Sequence, residues 1–211
     1  MGVKFLDDEA RGAFKRAVET VENASAVEVV VAVRRGSASY LHANAVVGAI
    51  AAFAMLAVTL FSPHDFSLVA ILVDPFVAGV LAAIAVHWLP TVKRALAPPA
   101  MRRAAVQRAA RAAFVERGVH ATTGRSGLLV YISWLEREVA LVADVGLLRA
   151  LADDTLAAAE RSLTDAVARG GAEVARRLEA LAPRMGVAMV HRDDDVNELP
   201  DAVDSDLEAR R

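Results

Sequence analysis

The chain has no cysteine, which excludes disulfides, thiolate zinc sites and thiol nucleophiles and removes any need for an oxidising compartment. Other chemical signatures are missing as well. The histidines never stand at metal-ligand spacing: His42 and His87 lie at the far ends of two apolar runs, His64 lies between the runs, and His120 and His191 are isolated. The glycine-containing stretch 118–127 is not a phosphate loop, because Walker A has four residues between its glycines and a lysine after the second. Here residues 119–123 separate Gly118 from Gly124, and Arg125 follows. Gly124-Arg125-Ser126-Gly127 also departs from Gly-x-Ser-x-Gly, so the stretch reads as a turn leading into a strand. Near the end, Asp193, Asp195 and Asn197 alternate as calcium-loop ligands do, but Glu198 stands where that loop needs glycine and Asp204 where it needs glutamate. The segment reads as a solvated acidic tail. The opening residues lack the basic, apolar and small-residue succession of a secretory signal, and Leu6 breaks the myristoylation pattern.

What the chain has in quantity is apolar side chain, 55% of its residues, concentrated in the runs 41–61 and 68–89. Each run of about 21 or 22 residues makes about 30 Å of helix, the depth of a bilayer's hydrocarbon layer. They read as a transmembrane hairpin over 41–89; two buried helices of a soluble bundle would be shorter and would show polar faces. Arg34 and Arg35 precede the hairpin, Lys93 and Arg94 follow it, and the connection 62–67 has no cation. The positive-inside rule then places both termini in the cytoplasm. Arginine far outnumbers lysine and alanine is abundant, which suggests a bacterial genome and hence a multi-pass protein of the bacterial inner membrane. Asp74 is the one carboxylate inside either run, where a mid-membrane charge costs about 2.5–3.5 kcal/mol. With Pro75 behind it, Asp74 reads as the cap of a span that starts there or, given a partner charge, as part of an ion path. His42 and His87 read as interfacial side chains or as a facing pair. The net charge of −2 averages a basic stretch after the second run against an acidic end, and no nucleic-acid partner is expected.

Outside the hairpin the periodicity alternates between helix and strand. Asp7 or Asp8 caps a helix with Phe14, Ala17, Val18 and Val21 on one stripe, ending near 23–25. The valine-rich stretch 27–33 reads as a buried strand. Beyond Pro90 and Pro98-Pro99, residues 100–117 read as a helix stopped by Gly118. Arg103, Gln107 and Arg111 mark one side of it and Met101, Ala105 and Phe114 another, so it reads as resting on anionic lipid or as a domain helix with a solvated face. Residues 128–132 and 138–143 form a strand hairpin through Trp134-Leu135-Glu136-Arg137, followed by helices over 147–152, 155–168 and 172–181. The expected fold class is α/β, a small central β-sheet flanked by helices. Strand 27–33 cannot stand unpaired in water, so the transmembrane hairpin is read as an insertion into a single cytoplasmic domain built from 1–36 and 98–203, with 204–211 as a charged tail.

Four segments carry a family resemblance: Phe5-Leu6-Asp7-Asp8-Glu9, Ser126-Gly127-Leu128-Leu129-Val130-Tyr131-Ile132-Ser133, Val139-Ala140-Leu141-Val142-Ala143-Asp144-Val145-Gly146, and Asp194-Asp195-Val196-Asn197-Glu198-Leu199-Pro200-Asp201. In this order they resemble the TPM domain family, over about residues 5–35 and 100–203. The resemblance implies an α/β sandwich and links to phosphatase activity, calcium binding and the assembly or repair of membrane complexes. It also implies a carboxylate cluster at the end of the sheet, with Asp144 as the aspartate of Asp-x-Gly and Asp153 and Asp154 as neighbours. Such carboxylates suit a divalent cation such as calcium, although Asp153 and Asp154 equally suit helix caps. Commoner family members carry a signal peptide and expose the domain outside the membrane, from which this chain departs. The expected function is a membrane-tethered accessory or protein-interaction module whose partners are the lipid bilayer and a membrane protein. The alternative is a metal-assisted phosphatase built on Asp144. A channel or transporter subunit would need self-association, because one hairpin encloses no pore.

Overall fold

The computed structural model describes residues 5–152, 154–191, 198–199 and 202–207. The chain runs through α1 (Asp8–Ala24), β1 (Val29–Arg34), α2 (Leu41–Phe61), α3 (Leu68–His87), α4 (Pro90–Leu96) and α5 (Pro99–Glu116). After a single 3-10 turn at Val119–Ala121 come β2 (Leu128–Ser133), β3 (Glu138–Ala143), α6 (Val145–Ala150), α7 (Thr155–Val167), α8 (Gly171–Glu179), α9 (Ala182–Ala188) and β4 (Asp204–Ser205). The described residues form two compact units, one up to Ser37 and from Arg102 onward, the other Ala38–Met101.

In the first unit, Asp7 caps α1 by accepting the Ala10 N–H at 2.8 Å, and Asp8 and Glu9 set negative charge against the positive end of the helix dipole. Ala10, Phe14, Ala17, Val18 and Val21 are buried at helical spacing. The strand after it begins at Val29 rather than at 27: the Ala26 N–H is taken by the Met189 carbonyl at 3.0 Å and the Val27 N–H by Ser25 Oγ at 3.4 Å. The sheet order is β3-β2-β1-β4. β1 pairs with β2 in parallel, Val31 opposite Val130, and β2 with β3 in antiparallel, Val130 opposite Leu141. Alternate side chains point to opposite faces. Val29, Val31, Val33, Leu128, Val130 and Ile132 pack with α1, α7, α8 and α9. Val30, Ala32, Leu129 and Tyr131 pack with Val106, Ala110 and Ala113 of α5. Two covered faces explain why 29–33 of β1 and 128–132 of β2 are apolar at every position instead of every second one, with Arg34 and Ser133 polar only at the strand ends.

Both edges of the sheet are protected. On β3 the Val139 N–H goes to Thr164 Oγ1 at 3.1 Å and the Leu141 N–H to Glu160 Oε2 at 3.0 Å, both from α7, while Gln107 of α5 donates to the same carboxylate. These side chains replace the missing fifth strand and block edge-to-edge pairing. Glu160→Ala, which strips the acceptor from a buried N–H, is expected to cost about 1–3 kcal/mol and to raise the aggregated fraction, read from denaturant midpoints and light scattering. On the other edge, the start of the expected charged tail 204–211 pairs with the sheet, whereas residues 192–197 of the acidic stretch lie outside the described residues. Asp204–Ser205 pairs with Ala32–Val33 of β1, and Val203 and Leu207 pack on the core. Charge explains this: Arg34 and Arg117 both ion-pair with Asp204, and the Arg35 N–H donates to Asp206 at 2.7 Å.

In the second unit, α2 and α3 are long and apolar enough to cross a membrane. Their large side chains face outward, Phe53 being 72% and Phe76 71% exposed, which is not the burial of a soluble protein's core helices. Ser67 caps α3 by accepting the Ala70 N–H at 3.2 Å. The helix is therefore already under way when it reaches Asp74 and runs on through Pro75; Asp74 does not begin a span, because a capped turn precedes it and one missing proline N–H does not stop an established helix. Pro90 opens α4, and Pro99 opens α5, as suits a residue with no N–H to lose in a first turn.

Candidate functional site

The chemistry-bearing side chains of the first unit gather at the two ends of the sheet. At the end where β2 starts and β3 finishes, Asp144 is 5% exposed. It is the N-cap of α6, accepting the Val145 N–H at 2.7 Å, so this helix starts two residues earlier than periodicity alone indicates. Its other oxygen has no hydrogen bond among the described residues and faces Arg125 Nη1 at 3.7 Å. Arg125 is held there by its own backbone, which sits in the left-handed region at φ 51°, and by donating to the His120 carbonyl at 2.7 Å. The loop is tied by the Ser126 N–H bond to Thr122 Oγ1 at 3.0 Å. Glu198 accepts the Thr123 N–H at 3.1 Å, and Glu28 accepts the Glu198 and Leu199 N–H groups, so these two residues are tied to the same end.

Of the residues read as cation ligands, Asp144 and Asp154 are described. Asp144 is engaged by an N–H and a guanidinium; Asp154 occupies the N-cap position of α7 with no side-chain cap bond; Asp153 lies outside the described residues. Among the described residues no three of His, Cys, Asp and Glu form a group able to hold a metal ion. The Arg125 guanidinium, 3.7 Å from the Asp144 carboxylate, offsets part of the negative charge that a cation would use there. Of the histidines in the apolar unit, His42 lies against Tyr40 with ring centroids 6.2 Å apart, and the His87 side chain is outside the described set.

The opposite end holds a buried polar chain that the sequence did not reveal. Glu136, in the β2–β3 turn, is 1% exposed. It accepts the Ser37 N–H at 3.1 Å and the Ser133 hydroxyl. Ser37 Oγ donates to Ser133 Oγ at 2.9 Å and lies 3.2 Å from the Tyr131 hydroxyl. Each serine has one proton to give, so a carboxylate at the end fixes the direction: Tyr131 to Ser37, Ser37 to Ser133, Ser133 to Glu136. Burial pushes the Tyr131 hydroxyl above its ordinary value of 10.0, against the opposing pull of the Ser37 bond and the Arg34 charge, which keeps the donor end protonated. The chain clamps Ser37, the last residue of this unit before the apolar one. No pattern marks it in the sequence, since a lone glutamate between two strands reads as an ordinary turn residue.

Glu138, the first residue of β3, sits beside α5. Burial raises its carboxyl above the usual 4.5, while Arg103, at 3.6 Å, and Arg102 pull it back only in part. A carboxyl that holds its proton longer when folded than when unfolded binds more protons in the native state over that window, so it erodes stability as pH rises from 4.5 through the folded value. Glu138→Gln is therefore expected to flatten the decline in stability above pH 4.5, measured as denaturant midpoints at stepped pH. An identical slope in the variant would contradict it.

No family model matches the chain, and no curated protein matches it. Among solved structures, it is similar to an NMR structure of the BA42 protein from the psychrophilic bacterium Bizionia argentinensis sp. nov., with a TM-score of 0.57 and 13% identity over 96% of each chain. At that identity the likeness shows the fold alone: α/β, with a small mixed four-stranded sheet between helices.

Proposed function

We propose that the chain is a two-span protein of a bacterial inner membrane, with both termini in the cytoplasm and a TPM-like domain that serves as an accessory, protein-docking module for a membrane protein. The observation that carries this reading is the pairing of unlike units. One consists chiefly of two helices of 21 and 20 residues with their apolar side chains outward. The other holds a four-stranded sheet between helices, and its buried carboxylates Asp144 and Glu136 are engaged in a helix cap and in holding Ser37. Cations flank the apolar helices and are missing from the 62–67 connection, which supports the assigned orientation.

Because the chain lacks cysteine, single cysteines report its topology cleanly. Ser62→Cys is expected to react with an impermeant maleimide on intact spheroplasts, and Glu179→Cys only after lysis; labelling of both from outside would overturn the orientation. Photo-crosslinking from the exposed face of α8 should then retain one membrane protein reproducibly. Turnover of a phosphate ester that disappears in Asp144→Ala with the fold intact would replace docking with phosphatase chemistry.

A further inference from the structure

The fold uses most of α5 and leaves one stripe over. Ala105, Val106, Ala110 and Ala113 are buried, the last three against the sheet. Gln107 is committed to Glu160, Arg103 to Glu138 and Arg117 to Asp204. The side identified from sequence spacing, Arg103 with Gln107 and Arg111, is therefore largely consumed by contacts with β3 and α7. What is left is Ala104, Arg108, Arg111, Ala112 and Val115, positions that recur at three and four residues and so share one face. All are exposed, Val115 at 64%, and neither Arg108 nor Arg111 has an ion pair among the described residues. From Pro99 to Val115 the helix contains no acidic residue, so nothing on it neutralises these guanidiniums in the i, i+4 manner usual for a solvated helix.

We propose that this stripe is a contact for anionic lipid headgroups: Arg108 and Arg111 engage phosphates, and Val115 with the flanking alanines lies against the headgroup boundary. The planar guanidinium fork matches phosphate oxygens and is less costly to dehydrate than an ammonium. Two guanidiniums on one exposed face with no acidic neighbour suit an electrostatic contact with an anionic lipid surface, each cation near such a surface adding about 1 kcal/mol. The proposal rests on the reading of α2 and α3 as membrane spans. Pro99 follows the end of α3 at His87 by a dozen residues, which keeps the stripe within reach of any bilayer that α3 crosses.

The test uses the full chain, cysteine-free as it stands, in nanodiscs. An environment-sensitive fluorophore on Val115→Cys is expected to shift to the blue when phosphatidylglycerol is added to phosphatidylcholine. The shift should vanish in high salt and in Arg108→Glu/Arg111→Glu, each arginine contributing about fivefold to the surface-bound ratio. The same probe on Phe76→Cys reports whether α3 is in lipid. A Phe76 probe in lipid with an unshifted Val115 probe overturns the stripe alone, as does a shift that is equal in pure phosphatidylcholine or indifferent to charge reversal. A Phe76 probe in water overturns the membrane reading and this proposal with it.

Discussion

Gly127→Ala is expected to destabilise the sheet-containing unit by about 3 kcal/mol or more, whereas Gly118→Ala in the same loop is expected to cost only about 1–2 kcal/mol, the penalty of a left-handed non-glycine residue. The two glycines are there for different reasons. Gly118 sits at φ 66° with open space around any added Cβ, so its substitution strains only its own backbone. A Cβ on Gly127 would lie 2.0 Å from the Val119 carbonyl oxygen and 2.8 Å from its Cγ1, well inside contact distance. Neither side can retreat. Gly127 accepts the Asp144 N–H at 2.9 Å, and the next N–H, of Leu128, donates to Glu28 at 2.7 Å. Val119 is fully buried against the second face of the sheet. Overpacking typically costs about 1–3 kcal/mol, and more where backbone must move; against a net stability of about 5–15 kcal/mol that is a large share. Denaturant titration followed by far-ultraviolet circular dichroism should show a small shift for Gly118→Ala and a larger one for Gly127→Ala. Equal shifts would mean that the loop yields.

The strands were legible from their sequences for a reason that does not extend to the ends of the chain or to the polar sites. β1, β2 and β3 are covered on both faces, so burial itself writes an unbroken apolar run, and the pairing of β1 with β2 follows from the cost of leaving such a run unpaired. β4 writes nothing of the kind. Its Asp-Ser pair is held by Arg34 and Arg117, residues remote in the chain, and an acidic stretch read alone looks solvated. Asp144 illustrates a subtler limit. Asp-x-Gly invites a ligand reading, yet the aspartate caps α6, and a Cβ on Gly146 would lie 2.6 Å from the carbonyl oxygens of Gly124 and Arg125. One motif thus has a complete packing explanation, visible only once the loop is in place. The Tyr131-Ser37-Ser133-Glu136 chain needed residue 37 to meet the 131–136 segment far along the chain, which no spacing rule registers.

In the apolar unit, Gly79→Leu is expected to separate α2 from α3 while each remains helical. A Cβ on Gly48 would lie 2.8 Å from the Gly79 carbonyl oxygen and 3.1 Å from Ala83 Cβ; a Cβ on Gly79 would lie 2.9 Å from the Gly48 carbonyl oxygen and 3.1 Å from Ala52 Cβ. Each helix therefore presents a glycine and, four residues on, an alanine to its partner, and the two backbones touch where side chains would ordinarily keep them apart. In lipid no hydrophobic force drives helices together, so close packing between small residues is the main attraction available. A leucine inserts four carbons at the point of closest approach, and the cost of about 1–3 kcal/mol or more falls on the very contact that holds the pair. Alanine at the same site adds one carbon and should give a partial effect, so the graded series Gly, Ala, Leu distinguishes sterics from general disruption. Spin labels on Leu41→Cys and Ala85→Cys, both exposed, are expected to give a narrow distance distribution with Gly79 and a longer, broader one with leucine, at unchanged helix content. An unaltered distribution would show that the short 62–67 connection, rather than the glycine contact, keeps the helices side by side.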